Sequence, residues 1–177
     1  MKKGPSRKPR NAIADGLGKA LQNEVDGREF YRMAAKSART DTVRQMFEFL
    51  REEEERHFEL ILAQMERMAA GKPPRLVRPA SGRKAIRKFS GSLVSPEFVA
   101  RGKRAEGEAA ALSIGMTLEK QAIAQFVALR RKVAGDPAAE KLFDGLIAWE
   151  QEHLEMLNRQ HEQLRQMFWE GARFWPF

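Results

Sequence analysis

The stretch REEEERHFEL, Arg51 to Leu60, decides how this chain folds. It places four consecutive glutamates ahead of one of only 3 histidines in 177 residues. Residues three and four apart share a helix face, so Leu50, Glu54, His57/Phe58 and Ile61 form one stripe. That stripe is apolar except for Glu54 and His57, which therefore project toward a core. Glu52, Glu53 and Glu55 lie elsewhere, toward the rim or solvent, where a charge run is ordinary. One Glu-x-x-His on a helix is weak evidence alone. The geometry returns in WEQEHLEML, Trp149 to Leu157, where Glu150 and His153 sit between Leu146 and Leu157.

Working outward, four apolar stripes of helical period appear. The first runs Ile13, Leu17, Ala20/Leu21, Tyr31, Ala34 and Ala38, behind a start signal at Pro9 and Asn11. The second opens at Thr40 or Asp41 and runs Val43, Met46/Phe47, Leu50, Phe58, Ile61, Met65 and Met68. It stops at Gly71, with Pro73 and Pro74 behind it. The third takes Ala109, Leu112, Met116, Ile123 and Phe126 and stops near Gly135. Asp136-Pro137 opens the fourth as cap and first helical position, followed by Leu142/Phe143, Leu146, Trp149, Met156/Leu157, Leu164 and Phe168. Residues 72–104, rich in Pro, Gly and Ser, read as a long crossover in which Ser95-Pro96-Glu97 opens a short helix. The predicted fold is all-α: a four-helix bundle of two antiparallel hairpins joined by a long crossover between helices 2 and 3. Residues 1–11 form a basic tail, 12–168 the bundle and 169–177 an aromatic tail.

The first and third helices each carry one glutamate on the apolar stripe. Glu24 follows Leu17/Leu21, and Glu119 sits between Met116 and Ile123. Glu24 precedes Glu54 by 30 residues and His57 by 33; Glu119 precedes Glu150 by 31 and His153 by 34. The halves therefore read as a duplication with one residue inserted. Four carboxylates in a bundle core repel, and each alone costs several kcal/mol to bury. Two divalent cations balance their four charges, and two neutral imidazoles add nitrogen donors. One Glu from each of two helices plus Glu-x-x-His from the other two is the donor set of a dimetal carboxylate site. Glu24, Glu54, His57, Glu119, Glu150 and His153 are the predicted ligands. Such an oxygen-rich set suits iron or manganese, with zinc able to occupy it.

Composition narrows the alternatives. No cysteine is present, which excludes disulfides, thiolate metal sites and cysteine nucleophiles. No apolar run approaches the ~18 residues of a membrane span, and the N-terminus reads as too polar for a secretory signal. A cytoplasmic location is expected. The net charge of +8 is unevenly spread. The first ten residues hold five Lys/Arg and no acid, and residues 72–104 hold ten Lys/Arg against Glu97 alone. The remainder is net acidic. The basic segments read either as weak polyanion binders or as solvated chain lying against the acidic bundle.

These residues resemble the rubrerythrin-like branch of the ferritin-like superfamily over about residues 12–165. The resemblance is carried by Glu24 with Tyr31 seven residues on, Glu54-x-x-His57, Glu119, and Glu150-x-x-His153. It implies a ferritin-like bundle with a diiron centre that reacts with peroxide or dioxygen, with Glu54 and Glu119 or a similar pair bridging the metals. It also implies that Tyr31 hydrogen-bonds near them; an amphipathic core tyrosine is the other reading. Two departures stand out. Peroxide-reducing members carry a further glutamate where this chain has Ala122. They also usually carry a cysteine-ligated rubredoxin domain, so an electron donor here is a separate protein. Ferritin-type iron storage and a metal-stabilised polyanion-binding protein are the other functions in view.

The remaining residues read as structural. His161 falls one face beyond His153. Met116, Met156 and Phe126 are at core spacing. Trp149 projects about 100° from Glu150 and reads as an interhelical or interface anchor. Phe168, Trp169, Phe174, Trp175 and Phe177 exceed what one bundle end needs; capping that end, filling a homodimer interface and touching a membrane surface are the uses in view, with dimer or bundle packing favoured.

Overall fold

The computed structural model describes residues 7–38, 41–76 and 106–171. The described residues form four helices: α1 (Arg7–Ser37), α2 (Asp41–Ala69), α3 (Glu106–Lys132) and α4 (Pro137–Gly171). The fold is the all-α four-helix bundle that the stripes predict. α1 packs along α2, α3 along α4, and α1 along α3.

The helix ends follow local chemistry. Gly71 and Gly135 adopt φ of 71° and 93°, the left-handed conformation that ends a helix with least strain at glycine. Asp136 caps α4, its Oδ1 accepting from the backbone N–H of Ala138 and Ala139, each at 3.1 Å. α1 begins earlier than its sequence signal, at Arg7, with Pro9 within its first turn where a missing N–H costs nothing. α4 runs past the expected end of the bundle to Gly171. The crossover leaves α2 in a fixed direction. Gln64 Oε1 accepts from the Arg75 N–H at 2.7 Å, and Leu76 lies over Gly145 of α4. The expected short helix at Ser95, the Thr40 alternative and the aromatic tail lie outside the described residues or side chains.

The core is divided along the bundle axis. One cluster gathers Tyr31, Phe47, Leu50, Leu112, Met156 and Leu157. The other gathers Leu17, Ile61, Phe126, Leu142, Leu146 and Trp149. Every helix contributes to both, and each carries its inward-facing acidic or imidazole residue between the two contributions. α1 runs from Leu17 through Glu24 to Tyr31, and α3 from Leu112 through Glu119 to Phe126. A polar belt thus crosses mid-bundle, sealed by apolar layers above and below.

Met116, Met156 and Phe126 occupy packing positions, as their spacing predicts. Glu53 corrects the sequence reading: it is 7% exposed, not at the rim. On α2 the buried surface takes in Phe49 and Glu53 as well as Leu50, Glu54, His57 and Ile61. The inner face is wider than one stripe because α2 also faces α4.

Candidate metal centre

The six predicted residues converge. Glu24, Glu54, His57, Glu119, Glu150 and His153 are each at most 5% exposed. His57 Nδ1 lies 3.0 Å from Glu150 Oε1 and 3.4 Å from Glu24 Oε2. His153 Nδ1 lies 3.5 Å from Glu150 Oε2, 3.8 Å from Glu119 Oε1 and 3.9 Å from Glu54 Oε1. Glu150 is therefore the carboxylate that adjoins both imidazoles. Glu54, His57, Glu150 and His153 each present one donor atom within 4.8 Å of the others.

The donors come within ion-pair distance of one another, yet most of their atoms lack a well-directed hydrogen bond. Both oxygens of Glu24 and of Glu150, Glu54 Oε1, both nitrogens of His57 and Nδ1 of His153 are buried with no hydrogen-bond partner among the described residues. Buried polar atoms are normally satisfied, and leaving one bare costs about 1–3 kcal/mol. So many bare lone pairs turned to one point is what a cation site requires, and the donor set fits a metal pair.

The electrostatics of the metal-free cluster agree. Burial, reinforced by the neighbouring Glu119, Glu24 and Glu150, pushes the Glu54 carboxyl well above the ordinary carboxylate range. Burial and Glu150 do the same to Glu119. Burial works against protonating His57, but Glu150 and Glu24 outweigh it and raise its pKa. Burial would likewise raise Glu150, yet the two imidazoles carry it the other way, below its ordinary value. Without a metal, the belt shares protons to relieve its charge.

Tyr31 supports one carboxylate. It is fully buried, and its hydroxyl donates to Glu119 Oε1 at 2.5 Å. Burial and the nearby carboxylates hold its pKa well above the ordinary value, so it remains a donor. Gly115 leaves space for that hydroxyl, since a Cβ there would lie 3.2 Å from it. Gly27 plays the same part for Glu54, whose Oε2 would lie 3.1 Å from an added Cβ. Sequence reasoning missed both glycines; a glycine three or four residues from a ligand glutamate in an otherwise good helix was the available signal.

Aromatic packing was missed too. Trp149 lies parallel on His57, with centroids 5.3 Å apart and planes 4° from parallel. His57 in turn stacks on His153 at 5.3 Å, and Phe49 meets His153 edge-on at 6.4 Å. Trp149 is thus an interhelical anchor, and what it anchors is an imidazole of the cluster. Metal binding is expected to quench part of the intrinsic fluorescence. W149F should lose that metal-dependent part while retaining emission from Trp169 and Trp175. An unchanged quench in W149F would place the responding indole elsewhere. His161 is half-buried and stands outside the cluster.

One side of the belt opens into a cavity of about 60 Å³. Glu24, Glu54, Glu119, Tyr31 and Ala122 line its interior, and the exposed Asp26 and Gln121 stand at its mouth. A single water needs only about 10–15 Å³ on this measure, so several water-sized molecules fit.

The helix order and the carboxylate–imidazole belt together define a ferritin-like four-helix bundle whose centre suits a metal pair. The chain belongs to the rubrerythrin family, a ferritin-like diiron-carboxylate family whose model matches residues 15–161. No curated protein matches the chain. No helix among the described residues is long and apolar enough to cross a membrane.

Proposed function

We propose that this chain is a diiron carboxylate oxidoreductase acting on peroxide or dioxygen, with electrons supplied by a separate donor protein. The observation that carries this reading is the buried belt of six donor residues, five of them with atoms bare of hydrogen bonds among the described residues, that opens on one side toward a cavity sized for small molecules. Glu24, Glu54, His57, Glu119, Glu150 and His153 would hold the metals. Held by these residues, a pair of Fe(II) ions would provide the reducing electrons for cleavage of an O–O bond.

The chain's own residues do the rest. The apolar layers around Leu50 and Leu157 on one side and Ile61 and Phe126 on the other keep bulk water from the belt. Tyr31 fixes the Glu119 carboxylate through its hydrogen bond and retains its own proton. The cavity beside Ala122 gives peroxide or dioxygen a route past Asp26 and Gln121. A homodimer, a cytoplasmic setting and weak polyanion binding by the basic segments complete the proposal; the aromatic and basic stretches behind the first and last lie largely outside the described residues.

Anaerobic protein loaded with Fe(II) and mixed with peroxide should oxidise in a single rapid turnover and hold no more than a metal pair per chain. Iron accumulating far beyond a pair would point to storage instead. A loaded centre that peroxide and dioxygen both leave reduced would overturn the oxidoreductase reading.

A further inference from the structure

The two halves of the site differ at one corresponding position. In the duplication, Glu53 precedes Glu54 as Trp149 precedes Glu150. Both side chains are buried, at 7% exposure each, and each reaches the imidazole of the other half. Trp149 covers the face of His57. An indole accepts no hydrogen bond, and His57 Nε2 has no partner among the described residues. Glu53 instead sets its Oε2 4.0 Å from His153 Nε2, on the far side of the ring from the Nδ1 that faces the carboxylates. Its other oxygen, Oε1, is held by Arg56 in an ion pair. One imidazole therefore has an anchored carboxylate behind it, and the other has an aromatic plate.

We infer that Glu53 is a positioning residue for His153, and that the Glu53/Trp149 difference makes the metal position at His153 the tighter of the two. This rests on the dimetal reading above. A carboxylate behind an imidazole selects the tautomer that keeps the proton on Nε2, fixes the ring and strengthens Nδ1 as a donor. Losing such a partner typically weakens metal binding by about 10–100-fold. The 4.0 Å separation is beyond a hydrogen bond as it stands, and a small rotation of the Glu53 side chain would close it. Among the described residues no carboxylate stands behind His57 Nε2, and the face of that ring is held by stacking on Trp149 and His153.

The test is an anaerobic titration of the metal-free full chain with Co(II), followed by visible absorption and calorimetry, with circular dichroism as the folding control. The parent should bind in two resolved steps at least about tenfold apart. E53A should weaken the tighter step by about 10–100-fold and leave the weaker one within about twofold. E53Q keeps an oxygen of the same shape and should recover part of the loss; if E53A fails to fold, E53Q decides by the same criterion. Two indistinguishable steps in the parent would overturn the inference, as would variants that weaken both steps alike or neither. A parent that binds no metal pair would remove the dimetal reading itself, an outcome distinct from all of these.

Discussion

Glu150→Ala is expected to abolish binding of the metal pair, whereas Glu24→Ala should cost chiefly one of the two ions. The difference follows from position. Glu150 places one oxygen 3.0 Å from His57 Nδ1 and the other 3.5 Å from His153 Nδ1, so it serves both ends of the belt. Of the two imidazoles, the one Glu24 approaches is His57, at 3.4 Å. Losing Glu150 also takes from His57 the foremost neighbour raising its pKa. Removing one partner of a buried charged pair costs about 3–5 kcal/mol, but here the loss also relieves repulsion on Glu54 and Glu119. Folding should therefore survive more readily than metal binding. Elemental analysis of anaerobically purified parent, Glu150→Ala and Glu24→Ala, each checked by circular dichroism, measures this. The isosteric Glu150→Gln guards against a packing artefact. A full metal complement in Glu150→Ala would remove Glu150 from the ligand set, and its retention in all three variants would end the assignment.

Much of this site was legible because its residues violate the helical pattern around them. Glu54 and His57 interrupt a stripe running from Leu50 to Ile61, and a charged residue on an apolar face needs a partner. Two such interruptions at matching intervals, with Glu24 and Glu119 about thirty residues ahead, predicted the convergence that the fold displays. The capping chemistry of Asp136 and the stops at Gly71 and Gly135 were equally local and equally readable. What escaped was set by neighbouring helices. Glu53 is one residue from the stripe, and periodicity assigned it to the rim; only the proximity of α4 buries it beside His153. Trp149 was placed by angle, but no angle on α4 reveals which ring of α2 it meets. Gly27 and Gly115 matter through what an absent Cβ lets approach, a property of the pair and not of the residue. Sequence periodicity reports which face of a helix is inward; it does not report what waits there.

The same electrostatics make stability depend on pH in opposite senses with and without metal. Glu54 and Glu119 have pKa values raised above the ordinary 4.5 in the metal-free fold, chiefly by burial. The unfolded chain releases these protons near 4.5, so above that pH the folded state binds more protons than the unfolded one. Stability then falls as pH rises, by about 1.4 kcal/mol per pH unit for each proton held in excess. His57 acts in the same sense above its ordinary 6.5, because its folded pKa is also raised. Glu150, lowered in the fold, acts oppositely, but its window lies below 4.5, where its stabilisation is lost as pH falls. Metal-free protein should therefore be most stable near pH 5 and melt at lower temperature by pH 8. Metal ions displace the protons and bind more tightly as pH rises. Each site held at a thousand times its dissociation constant adds about 4 kcal/mol, so Tm at pH 8 should climb by about 10 °C or more for a chain of this size. Thermal melts at pH 5 and pH 8, with and without anaerobic Mn(II), measure both slopes. Parallel curves, or metal-free protein more stable at pH 8, would mean that the carboxylates of the belt are not competing for protons, and the case for a cation among them would lose its physical basis.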